Sequence, residues 1–269
     1  MKKMKWDYTA LAESYSQRPN YADAAIDGLV KAAGLAAGDR VLDLGAGTGH
    51  LVLKLAAKDL DVTALEPNPR MREIGMSRTA ALTNVRWRDA LMERTGLSSA
   101  AFALTAYGSS LGVADYEPTL REAHRLLRPG GAVAALFNHR DLDDPLQRKI
   151  EALIHREVPG YEYGNRRRDQ AAFIESSGLF GRVRRIEASF VHVQHADAWI
   201  EAWSSHATLA RQAGDRFPAI VAAIAELVAK CCGETVRVPY TTRVWIARRA
   251  CGVLCCFRRK RSLPRWAIG

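Results

Sequence analysis

The segment Val41-Leu42-Asp43-Leu44-Gly45-Ala46-Gly47-Thr48-Gly49 constrains the fold more than any other part of the chain. A short apolar run interrupted by one aspartate passes into three glycines at alternate positions, and a helical pattern follows over 49–58. Glycines in such a turn adopt positive φ without steric cost and let a ligand approach the backbone. In an open α/β sheet, the carboxyl end of the first strand is where ligands bind. Counted from Gly45 the spacing is G-x-G-x-G, with His50 standing where a dinucleotide fingerprint needs its third glycine, so nicotinamide and flavin cofactors fit poorly. No G-x-x-x-x-G-K run occurs, which disfavours a nucleoside triphosphate on a P-loop.

Around this turn, short β-branched or apolar runs alternate with longer helical patterns, as a parallel sheet with crossover helices requires. The pattern predicts strands at 40–44, 61–66, 84–88, 101–107 and 132–138, with helices at 49–58, 69–79 and 117–127 between them. Arg128-Pro129-Gly130-Gly131 ends the third of these helices, since proline and glycine break it. A polar, arginine-rich insertion over the ligand edge follows at 138–170, with a helix at 145–156. Further on, the pattern predicts a helix at 170–177, a strand at 183–193, helices at 196–213 and 217–230 and a last strand at 235–248. Ile220, Val221, Ile224 and Val228 give the helix at 217–230 one buried face. Residues 8–35 read as one or two helices capping the sheet. The expected organisation is a helical lid (1–35), a core (36–249) with cap segments at 138–170 and 196–232, and a basic, disordered tail (250–269).

The formal charge of +10 needs locating before it is interpreted. Arg258, Arg259, Lys260, Arg261 and Arg265 lie in the last twenty residues without an acidic neighbour, leaving only +5 for the rest. The excess is a terminal cluster and not a stripe across the fold, so nucleic acid is a disfavoured partner. The five cysteines, an odd number with Cys231-Cys232 adjacent, suit free thiols in a reducing compartment better than a disulfide framework or a metal site. No apolar run approaches the ~18 residues of a membrane span, and no apolar region follows the basic start, so a cytoplasmic location is expected.

Asp43-Leu44-Gly45-Ala46-Gly47-Thr48-Gly49 resembles the first motif of class I S-adenosylmethionine-dependent methyltransferases. Ala64-Leu65-Glu66-Pro67-Asn68 is similar to the second motif, with Glu66 placed 21 positions after Gly45. Trp87-Arg88-Asp89-Ala90, at the end of the third strand, matches the place of the third motif. The run from Arg121 to Gly131 is similar to the helix, turn and fifth strand of the small-molecule, UbiE-like branch, which also often begins with an aromatic lid like that of Tyr8, Tyr15, Arg18-Pro19 and Tyr21. The resemblance covers about residues 6–249. It implies a doubly wound, Rossmann-like α/β fold with a seven-stranded sheet, and S-adenosylmethionine as cofactor. It further implies a cofactor site of Asp43, Gly45, Ala46, Gly47, Gly49, Glu66, Pro67, Asp89, Ala90 and Tyr107. In it Glu66 accepts hydrogen bonds from the ribose hydroxyls and Asp89 stands beside the adenine amino group. Where DNA and protein-amide methyltransferases carry Asn-Pro-Pro-aromatic, this chain has Ala106-Tyr107-Gly108-Ser109-Ser110-Leu111-Gly112. The acceptor implied is therefore a small molecule, methylated at oxygen, nitrogen, sulfur or carbon.

Methyl transfer needs alignment first, and a base only for some acceptors. His139, at the end of the fifth strand, is the best-placed candidate base, and His206 is second. Tyr15, Tyr21 and Trp203 offer aromatic surface to an acceptor or to the cationic sulfonium, and Arg18 and Arg140 offer forked donors. The run Arg166-Arg167-Arg168 offers the same forked donors to an anionic acceptor, but a charge run reads first as a solvated face, and no metal site is expected. Two other readings remain open: an RNA methyltransferase, which needs a continuous basic face near the cofactor, and a non-catalytic cofactor-binding protein on the same fold. The oligomeric state is not readable from the sequence.

Overall fold

A computed structural model describes residues 7–250. Five parallel strands, β1 (Arg40–Leu44), β2 (Asp61–Leu65), β3 (Val85–Arg88), β4 (Phe102–Gly108) and β5 (Leu127–Arg140), are followed by the antiparallel pair β6 (Arg184–His195) and β7 (Thr235–Arg248). They form one seven-stranded sheet in the order β3-β2-β1-β4-β5-β7-β6, the doubly wound, Rossmann-like arrangement that the pattern of the sequence predicts. The order reverses between β1 and β4, so their carboxyl ends open a crevice at the topological switch point.

Alternation along the strands sends side chains to two cores. Val41, Val62 and Leu104 join α2 (Asp23–Ala33) and α3 (His50–Ala56) in one cluster, whereas Leu42, Leu44 and Phe137 join α5 (Tyr116–Leu126) in the other. Helix starts are locally encoded. Asn68 Oδ1 accepts from the Arg70 and Met71 amides to begin α4 (Pro69–Arg78), and Asp144 Oδ1 accepts from Leu146 and Gln147 to begin α6 (Pro145–Glu157). In both a proline follows the cap, where its missing amide costs nothing. A third apolar cluster gathers α6, α8 (Ala196–Ser204), α9 (Ala207–Ala213) and α10 (Phe217–Cys231) over the first half of β7. The described residues also include α1 (Ala12–Ser16) in the N-terminal segment and α7 (Ala171–Ser176) after the insertion.

Two expectations are corrected. The single helix predicted at 196–213 is two helices, because Ser205 closes α8 through a bond to the Ala202 carbonyl, and His206 Nδ1 accepts from the Leu209 amide to start α9. The strand predicted at 132–138 begins at Leu127. Arg128-Pro129-Gly130-Gly131 is absorbed as an irregularity, with Phe102 opposite Leu127 but Leu104 opposite Ala132. The expected tail at 250–269 lies, but for its first residue, outside the described residues. No helix among them is long and apolar enough to cross a membrane.

Candidate cofactor and acceptor crevice

The glycine turn closes onto β2: the Gly45 and Ala46 amides donate to the Leu65 carbonyl at 2.9 and 2.8 Å. Gly45 has φ +72°, and a Cβ there would stand 2.8 Å from Ser110 Cβ, so both conformation and space require glycine. Gly47, at φ +55°, donates its amide to Glu66 Oε2 at 2.8 Å, and Asn68 donates to Oε1 at 2.8 Å. The buried Glu66 carboxylate thus braces the turn. Each of its oxygens keeps a further lone pair. Burial raises its pKa, an effect that the two amides oppose.

Asp43 is fully buried at the end of β1, and neither carboxylate oxygen has a hydrogen-bond partner. Burial pushes its pKa up to about 7. The Gly108 amide offsets part of the rise without reaching hydrogen-bond geometry, and the charge of Glu66 adds to it. An orphaned buried carboxylate beside a glycine cradle suits a ligand that brings a cation.

Above the turn, the N-terminal segment folds over the crevice. His50 Nδ1 lies 2.8 Å from Asn20 Oδ1 and Nε2 lies 3.2 Å from the Tyr15 carbonyl. Tyr21 hydroxyl pairs with Ser109 Oγ at 3.1 Å, and Asn138 Nδ2 donates to the Pro19 and Asn20 carbonyls. Ser109 holds φ +62°, an uncommon conformation for serine, at the tip of β4. Arg18 lies 4.2 Å from the Tyr15 ring centre and donates to Ser205 Oγ at 2.8 Å and to the Ser205 carbonyl at 2.7 Å, joining the N-terminal segment to the end of α8. Arg140 stands 4.3 Å over Trp203 while pairing with Glu151 at 3.1 Å.

Both candidate histidines line the crevice with the nitrogen that carries the lone pair committed as an acceptor. His139 Nε2 lies 2.9 Å from the Arg166 carbonyl, which can only accept, and Nδ1 lies 3.1 Å from Arg243 Nη1, which can only donate. The ring is therefore neutral with its proton on Nε2. Burial and neighbouring guanidiniums lower its pKa to about 4. His206 uses Nδ1 to cap α9, stacks on Trp203 at 5.3 Å and is held well below the usual imidazole pKa by burial and by Arg166, Arg18 and Arg140. Neither lone pair is free to take a proton, which corrects the expectation of a histidine base.

Not every expected cofactor residue reaches the crevice. Tyr107 is turned into the second core, with its hydroxyl donating to the Thr119 carbonyl, because alternation along β4 sends its ring away from the face that Gly108 lines. Asp89 has a side chain 67% exposed and pairs with Arg72 at 3.1 Å, while Ala90 packs on the second core. Gly49 has φ +87° and immediately precedes α3, and Pro67 is half-buried beside Glu66. Gly45, Ala46, Gly47 and Asp43 come together with Tyr15, Tyr21 and Trp203. The reading of 166–168 as a solvated face holds for exposed Arg168 but not for Arg166 and Arg167, which line the crevice, as does the unforeseen His50. His50 occupies the third-glycine position on the first turn of α3, a placement that points it at the ligand edge.

A family described as a methyltransferase domain matches residues 41–131. Demethylmenaquinone methyltransferase of Tropheryma whipplei is 30% identical over 168 residues, covering 59% of this chain and 69% of that protein. An uncharacterised methyltransferase of Mycobacterium tuberculosis is 35% identical over 127 residues, covering 46% of this chain, which thus spans about half (48%) of that relative's length. A protein of Anaeromyxobacter dehalogenans described as a type II methyltransferase superposes with a TM-score of 0.60 at 21% identity, over 86% of this chain and 97% of that one. The chain belongs to the class I S-adenosylmethionine-dependent methyltransferases. Its crevice fits the family's cofactor: Asp43 offers an unpartnered carboxylate to a cationic ligand, and Glu66 keeps lone pairs for hydroxyls.

Proposed function

We propose that the protein transfers a methyl group from S-adenosylmethionine to a small-molecule acceptor held between the lid (1–35) and the cap segments (138–170 and 196–232) of a methyltransferase body (36–249). The observation that carries this reading is Asp43, buried without a partner at the tip of β1 beside a turn braced by Glu66. When bound, S-adenosylmethionine supplies a methyl group whose bond to cationic sulfur breaks as an acceptor lone pair forms the new one, releasing S-adenosylhomocysteine. Asp43 opposes the ligand's positive charge, Glu66 accepts from the ribose hydroxyls, and Tyr15, Tyr21 and Trp203 pack around the acceptor. With His139 and His206 committed as donors, alignment is the main contribution of the side chains. The basic residues near the site lie inside a crevice, which favours a compact acceptor over RNA. A soluble role in small-molecule metabolism in the cytoplasm accords with this reading.

Calorimetric titration with S-adenosylhomocysteine tests it. Wild-type protein should bind, and Glu66→Ala should bind at least about tenfold more weakly, as expected for losing charge-assisted contacts. Equal affinity in the two proteins would refute the assignment of Glu66.

A further inference from the structure

Arg18, Arg140, Arg166 and Arg167 line one crevice, contributed by the lid, the tip of β5 and the turn at 164–167. Of these four, Arg140 alone has an ion pair among the described residues, with Glu151. Arg18 is held flat by Tyr15 and Ser205. Arg167 lies 4.6 Å from the Tyr163 ring centre and gives one nitrogen to the Arg140 carbonyl at 3.0 Å. The Arg166 side chain has no hydrogen-bond partner among the described residues, although its carbonyl is fixed by His139. Aromatic rings and backbone carbonyls thus orient Arg18 and Arg167 without neutralising them, and Arg166 likewise has no ion-pair partner among the described residues.

Such an arrangement is unfavourable by itself. Burial, together with the charges of Arg18 and Arg140, lowers the pKa of Arg166, and burial likewise lowers that of Arg167. Like charges drawn together away from water are tolerated where a ligand of opposite charge completes them. Arginine's planar fork matches the geometry of carboxylate and phosphate oxygens. His206 adds a neutral donor, since capping α9 through Nδ1 leaves the proton on Nε2. A second cavity adjoins the first and shares Tyr15, Arg18, Ser109, Tyr163 and Arg166, so Arg18 and Arg166 stand where the two meet.

We propose that the acceptor is a compact oxyanion, a carboxylate or a phosphate ester, whose anionic group is held by Arg166 and Arg18, with Arg140 and Arg167 completing the cationic wall and Trp203 and Tyr15 packing beside it. This inference rests on the methyltransferase reading and assigns the charge of its substrate. It also gives the turn at 164–167 a purpose in recognition.

The test uses the full chain saturated with S-adenosylhomocysteine at constant ionic strength, titrated with inorganic phosphate and, separately, with benzoate. At least one anion should bind saturably, and the tighter of the two tells phosphate from carboxylate chemistry. Arg166→Ala should weaken that binding about tenfold or more while changing the affinity for S-adenosylhomocysteine less than about twofold, and Arg166→Lys should lose less. Arg167→Gln, on the same turn, provides a second comparison if Arg166→Ala does not fold. Failure of both anions to bind the loaded protein, or equal anion binding by wild type and a folded variant, would overturn the inference. Failure to bind S-adenosylhomocysteine at all would instead sink the methyltransferase reading.

Discussion

With both carboxylate oxygens buried and unpartnered, Asp43 gives the free protein a pH dependence of its own. Its pKa is raised to about 7 in the fold, so the native state keeps a proton that the unfolded chain releases near 3.8. Stability from this group is fully present below the unfolded value and is lost as pH rises through about 7. Asp43→Asn removes the ionisable group, so it should raise the Tm of the free protein at pH 8, by a free energy of at most about 4 kcal/mol. The gain should shrink towards pH 4. The same substitution should weaken S-adenosylhomocysteine binding, because that ligand, though it has lost the sulfonium charge, keeps an ammonium group for the carboxylate to partner. Melting curves of both proteins across pH check this, and equal Tm values at pH 8 would show that Asp43 is not strained. His139 points the other way. Its depressed pKa of about 4 means that no limb near 6.5 in the rate against pH should be traceable to this imidazole, so wild type and His139→Gln should share one profile shape between pH 6 and 8. At this scale the sequence was informative about Asp43 and Glu66, which sit at strand tips in recognisable motifs. It offered Arg166 as an anion donor but ranked the run 166–168 as a solvated face, because the burial of Arg166 depends on a turn folding back against β5.

At the scale of elements, close packing decides what composition cannot. Gly75 lies in α4 where a Cβ would stand 2.2 Å from Trp87 Cη2, and Trp87 is tethered through Nε1 to Thr79 Oγ1 at 2.9 Å. Alanine would gain about 0.5–1 kcal/mol of helix propensity over glycine. Overpacking against a tethered indole costs about 1–3 kcal/mol and should win. Gly75→Ala should therefore lower the Tm by several degrees and leave S-adenosylhomocysteine affinity close to wild type, since the crevice is lined elsewhere; a raised Tm would mean that the indole yields. Elements were legible wherever their signals are local. The caps of α4 and α6 are Asn-Pro and Asp-Pro steps, and the strands follow apolar runs. The break between α8 and α9 was hidden because Ser205 is also bonded by Arg18, 187 residues earlier in the chain.

Across the whole molecule, the crevice is closed by contacts between distant parts of the chain. The lid is tied to the tip of β2 by Asn68 donating to Thr9 Oγ1 at 2.8 Å, to α3 by His50, and to the cap by Arg18. Ligand binding at the glycine turn should therefore slow amide hydrogen exchange in three places: residues 45–50, residues 66–68 and the lid around 15–20. The halves of β6 and β7 away from the crevice, residues 184–188 and 244–248, should change little. His50 is the direct link between the first and third of these, because it begins α3 and holds the Tyr15 carbonyl and the Asn20 side chain. Burial lowers its pKa to about 3, so the link stays neutral and unchanged from pH 6 to 8. A neutral imidazole has one N–H to donate between these two acceptors, so His50→Ala removes one hydrogen bond and one close polar contact, at a cost of about 1–3 kcal/mol. In that variant S-adenosylhomocysteine should still slow exchange at 45–50 and 66–68, while the protection it confers on residues 15–20 falls sharply. Equal lid protection in wild type and variant would mean that Asn68 and Arg18 alone fix the lid, and that His50 takes no part in passing the effect of ligand binding to it.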